Sequence, residues 1–168
     1  ERTGFTPDGY RERLDLANWG ADPTKPDIFL QLNWMKPQVD SCSNEGTFDR
    51  SPRGFRRFRE CVKADSNTYR PSRESLDELV KLFKAQGFNL HIDAGTWYNN
   101  FTSDPKQLRG GPTVPYKKFY FDTHHVAEDK LLEDRDKYLG ARKAVFRLGI
   151  IGDAIAPDDS SSGIGNTP

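Results

Sequence analysis

The chain is poor in the residues that usually carry chemistry. Among its 168 residues are two cysteines, three histidines and one methionine. No HExxH occurs, and the two cysteines do not have zinc-ligand spacing. No GxSxG is present, which excludes the hydrolase elbow. No glycine-rich phosphate loop follows a strand, because Gly163-Ile164-Gly165 comes at the end with no helix after it. Charge of one sign is missing in the net. The 25 Lys and Arg offset the 25 Asp and Glu, which argues against a dedicated nucleic-acid or membrane-surface protein. No apolar run approaches the ~18 residues a membrane span needs. No signal peptide is seen, so the opening Glu1-Arg2-Thr3 reads as a mature or trimmed form.

What is present is a globular composition, 35% hydrophobic and 30% charged. A chain of this length buries ~70% of its unfolded surface and has room for one real core. The pattern divides a single domain, 1–168, into an irregular arm (1–26), an α/β core (27–151) and an Asp-, Ser- and Gly-rich flexible tail (152–168). The arm offers only Leu14, Leu16 and Trp19 for burial. Residues 28–35 alternate as a strand: Ile28, Leu30, Leu32 and Trp34 face one way, and Phe29, Gln31, Asn33 and Met35 the other. A long excursion, 36–71, carries both cysteines.

Residues 72–86 have the clearest helix signal. Ser72 caps the first turn, Gly87 supplies the stop, and Leu76, Leu79, Val80 and Phe83 form one stripe. Residues 88–93 follow as a second strand, with Phe88, Leu90 and Ile92 opposite Asn89, His91 and Asp93. Strand, crossover helix, strand is a right-handed parallel β-α-β unit. Residues 95–117 read as loop. A short strand is expected at 118–122, a second helix at 127–139 burying Leu131, Leu132, Tyr138 and Leu139, and another strand at 143–151. The expectation is an α/β fold: a mainly parallel twisted sheet of about four strands with two covering helices.

Several constellations invite a chemical reading. Cys42 and Cys61 frame a polar stretch with no apolar periodicity. They are either a disulfide, implying an oxidising compartment and about 3 kcal/mol of chain-entropy stabilisation, or two free thiols. Asn100-Phe101-Thr102 is a glycosylation sequon, at Asn100. His91 and Asp93, two apart on a strand, point to one face and could reach one ion. A third ligand would have to be His124 or His125, which as neighbours point opposite ways; a hydrogen-bonded cluster is the plainer reading. Arg53, Arg56, Arg57 and Arg59 with Phe55 and Phe58 could bind an anion or stack bases, but a neutral chain weakens the nucleic-acid case. Asp153, Asp158 and Asp159 would suit calcium as loop carboxylates, yet their spacing matches no EF-hand.

Four segments, taken in order, carry a resemblance. They are Gly20-Ala21-Asp22-Pro23 followed by residues 27–35, then Arg70-Pro71-Ser72-Arg73-Glu74-Ser75-Leu76, then residues 87–95, then residues 161–168. This order resembles the N-terminal part of secreted zinc metallopeptidases of the metzincin, reprolysin-like type. The resemblance implies a parent with a twisted sheet, a backing helix and an active-site helix carrying HExxHxxGxxH. In such enzymes three histidines hold zinc and the glutamate activates the bound water. None of those residues is in this chain, so no catalytic role is carried to any position in it, and no cofactor is expected within it. The implied partners are a protein or peptide substrate of the parent and a C-terminal catalytic segment, in a secreted, extracellular setting without a membrane. The rival readings are a non-catalytic secreted binding module on the same scaffold, and nucleic-acid binding through residues 53–59.

Overall fold

In a computed structural model the protein is described at residues 4–37, 41–42, 61–62, 69–121 and 127–157, with the backbone alone described at 41–42, 61–62 and 127–129. Strand β1 (Asp27–Met35) lies at the centre because both of its faces have something to bury. Leu32 and Trp34, with Ile28 and Leu30, enter one apolar cluster; Phe29 enters another on the opposite face. Helix α1 (Arg73–Ala85) covers the first face through Leu76, Leu79, Val80 and Phe83. The Ser72 side chain accepts a hydrogen bond from the Ser75 amide at 3.0 Å, starting the helix. Gly87, at φ +86°, ends it with its amide donating to Lys84 O.

The crossover through α1 returns the chain to β4 (Asn89–Ala94), parallel to β1 along Asp27–Gln31. On the other side of β1 lies β7 (Phe146–Ile151), parallel along Phe29–Trp34. Strand β6 (Gly111–Val114) takes over the β4 side of β1, opposite Asn33 and Met35. Strand β5 (Tyr98–Asn99) runs antiparallel at the outer edge of β4. The sheet therefore has five strands rather than about four, four of them parallel. The arm covers the second face, burying Leu14 and Trp19 against Phe29, Phe101 and Phe146.

A separate two-stranded ribbon joins β2 (Ser41–Cys42) to β3 (Cys61–Val62). Two cross-strand pairs contribute about 0.2–1 kcal/mol each. Closing residues 43–60 into a loop costs about 3 kcal/mol. The ribbon's own pairing falls short of that cost.

Four expectations need correction. Residues 111–114 form β6 despite their Gly and Pro, because β1 extends beyond the end of β4 and leaves an edge to be paired. Of the strand expected at 118–122, the described residues 118–121 form only an isolated bridge, Phe119 to Ala154. Phe88 does not join Leu90 and Ile92; the strand starts one residue later and Phe88 is 38% exposed. Helix α2 (Ala127–Leu139) leaves Leu132 41% exposed. Asp134 takes an inward position instead, accepting a hydrogen bond from the Tyr120 hydroxyl at 2.6 Å.

Candidate functional site

Ligands of open α/β sheets sit outside the carboxyl ends of the strands, where neighbouring strands diverge. The carboxyl end of β4 falls beside Gln31–Asn33, where β1 exchanges β4 for β6. Asp93, fully buried, stands there. Its Oδ1 accepts from the amides of Gly95 and Gly110 at 3.0 and 3.1 Å. Its Oδ2 accepts from the Arg109 amide at 2.9 Å and from Arg142 Nη1 at 2.7 Å. One carboxylate thus ties together both ends of the loop 95–110. The backbone approaches so closely that a Cβ at Gly110 would lie 2.2 Å from Asp93 O, so no other residue fits.

Arg142 arrives from the 3₁₀ turn Gly140–Ala144, between α2 and β7, and is completely buried. Its Nη1 also reaches Gln31 Oε1 at 3.4 Å, and its Nη2 donates to Gln107 O. The aromatic rings of Phe146, Trp19 and Phe101 surround its guanidinium at 4.9, 5.4 and 5.8 Å. Nε is buried with no partner among the described residues. Burial pulls the guanidinium below its ordinary pKa and Asp93 opposes that pull; an arginine in this pairing stays charged. The neighbouring strand positions complete the network. Gln31 Nε2 donates to Asn33 Oδ1 at 3.0 Å, and Asn33 Nδ2 donates to Thr113 Oγ1 at 2.6 Å.

His91 shares a face with Asp93, as the alternation requires, but the two serve different ends of the sheet. His91 Nε2 lies 2.8 Å from Asp27 Oδ1, and its ring stacks on Phe29 at 4.4 Å. Asp27 also accepts from the Asp22 amide at 2.9 Å, which fastens the arm to the start of β1. Among the described residues no group of three His, Cys, Asp or Glu side chains could hold a metal ion. The described residues therefore do not fit a zinc site, and no step through zinc is assigned to them. His124, His125, Asp158, Asp159, Arg53, Arg56, Arg57 and Arg59 lie outside the described residues. Asp153, within them, receives Lys118 Nζ at 2.9 Å.

The side chain of Asn100 is engaged with the edge of β4. Its Nδ2 donates to Leu90 O at 2.9 Å and its Oδ1 accepts from the Ile92 amide at 2.6 Å. The sequon nitrogen is thus part of the sheet's edge. Near the first turn of α1, a depression of about 270 Å³ is lined by Arg70, Pro71, Ser72, Arg73, Glu74 and Trp97. Trp97 Nε1 donates to Pro71 O at 3.0 Å, and the guanidiniums of Arg70 and Arg73 lie 3.7 and 4.5 Å from its ring centroid. These are cation–π distances, so the indole holds the two cations at the mouth of the crossover.

Reading the chain for sites missed Arg142 and Asp27. A signal for the first existed in Gln31 and Asn33, two polar residues in an otherwise apolar strand, which demand a buried polar partner. Comparison with protein-family models, curated proteins and solved structures finds no match to this chain.

Proposed function

We propose that this chain is the N-terminal subdomain of a secreted zinc-dependent endopeptidase, with the zinc and the reacting groups supplied by residues outside it. The carrying observation is the parallel β4–β1–β7 unit with α1 as its crossover. This is the architecture expected of a sheet that braces an active-site helix. The Asp93–Arg142 clamp supports the same role. It ties Asp93 to Arg142 and to the backbone at both ends of the loop 95–110, which stiffens this end of the sheet. The chain's contribution on this reading is positional: a stiff floor beneath a cleft that cuts protein or peptide substrates.

The same network is compatible with a second reading, a non-catalytic secreted binding module on the same scaffold. One experiment separates them. The complete secreted product containing residues 1–168 is assayed for bound zinc and for hydrolysis of an unstructured protein such as casein, with and without 1,10-phenanthroline. The peptidase reading expects stoichiometric zinc and chelator-sensitive hydrolysis. A product that folds without zinc and hydrolyses nothing would sink it in favour of the binding module.

A further inference from the structure

The antiparallel ribbon sets Cys42 directly opposite Cys61, with Ser41 opposite Val62. Facing residues of an antiparallel pair have their Cα atoms ~4.5 or ~5.5 Å apart, and both separations fall in the ~4.4–6.8 Å window a disulfide requires. A register shift of one residue on either strand would lose that opposition. Among the described residues the ribbon pairs with no other strand. It is two residues long, belongs to no larger sheet and closes a long loop. Isolated two-stranded pairings are marginal even when longer. From the register and the loop closure together, we infer that Cys42 and Cys61 are joined by an intramolecular disulfide that closes residues 43–60 into a covalent ring.

The bond forms as two S–H bonds break, with the two electrons and two protons passing to a disulfide oxidant. Oxidised glutathione serves, being reduced to two thiols. The covalent link offsets the closure entropy that the two-residue ladder cannot. It has a further consequence: a backbone cut anywhere in 43–60, a stretch containing Arg50, Arg53, Arg56, Arg57 and Arg59, leaves both halves attached. The inference stands on strand register and does not depend on the peptidase reading.

Peptide mapping tests it. Monomeric protein made in an oxidising compartment is alkylated without reductant, denatured and digested with trypsin. Lys25 and Lys36 precede prolines, which trypsin skips, so Cys42 falls in the peptide 14–50 and Cys61 in the peptide 60–63. The expected species is these two peptides joined, two hydrogens lighter than their sum, and separating on reduction. Recovery of the peptide 60–63 with an alkylated Cys61 would overturn the inference. So would a covalent dimer that reductant splits into monomers. The C42S/C61S variant gives a second readout, a melting temperature lower by roughly 5–10 °C; an unchanged value would count equally against the bond.

Discussion

Arg142→Met removes the guanidinium while keeping a long side chain in the cage of Trp19, Phe101 and Phe146. The structure dictates what is left behind. Asp93 keeps three amide donors, from Gly95, Arg109 and Gly110, but, fully buried, loses the guanidinium paired with it. Gln31 Oε1 and Gln107 O lose a donor as well. Breaking a buried ion pair by removing one partner costs about 3–5 kcal/mol. That is a large part of the ~5–15 kcal/mol available to a domain. With a urea m value of about 2 kcal/mol/M, the midpoint should fall by roughly 1.5–2.5 M. Tryptophan emission, from Trp19 beside Arg142 together with Trp34 and Trp97, follows the unfolding. Asp93→Asn should cost a similar amount, because its amide would turn a donor toward the Arg109 N–H or the Gly95 and Gly110 N–H groups. The double variant should be less destabilised than the sum, by at least ~2 kcal/mol, since the two residues act as one unit. A loss under ~1 kcal/mol for Arg142→Met, or strict additivity in the double variant, would refute the clamp.

Two other consequences can be measured. Asn100→Ala should destabilise by about 1–3 kcal/mol, as the Ile92 amide and Leu90 carbonyl at the edge of β4 lose their partner; unchanged hydrogen-exchange protection of the Ile92 amide would contradict this. Stability should also fall in alkali. Burial, and a 2.9 Å hydrogen bond to Asp77, push the Tyr98 phenol up to about 12. Burial and the bond to Asp134 move Tyr120 in the same direction. The folded state therefore holds these protons more tightly than the unfolded chain, whose tyrosines titrate near ~10. Their contribution is complete below pH ~10 and is lost as the pH rises through the folded value of Tyr98. Urea midpoints measured from pH 8 to 12 should drop at the upper end for the wild type and much less for a Tyr98→Phe, Tyr120→Phe variant. Equal slopes would disprove the assignment.

Periodicity alone determined the strand–helix–strand core. Ile28, Leu30, Leu32 and Trp34 alternate, the α1 stripe recurs at helical spacing, and Ser72 and Gly87 mark its ends through local backbone chemistry. Such signals lie within a few residues of one another, so they can be read without a fold. The placement of His91 and Asp93 on one face was legible for the same reason. Their partners were not. Asp27 meets His91 only because β1 and β4 pair in one register, and Arg142 meets Asp93 across 49 positions of sequence. The strand at Gly111–Val114 exists because β1 outlasts β4, a fact of tertiary pairing that overrode its Gly and Pro. Leu132 faces solvent while Asp134 is buried because Tyr120, distant from the helix's own periodicity, offers Asp134 a hydrogen bond. Local pattern thus set where elements form and which face is apolar. Long-range pairing decided which polar groups are buried together, because a buried charge is tolerated only where the fold brings its partner.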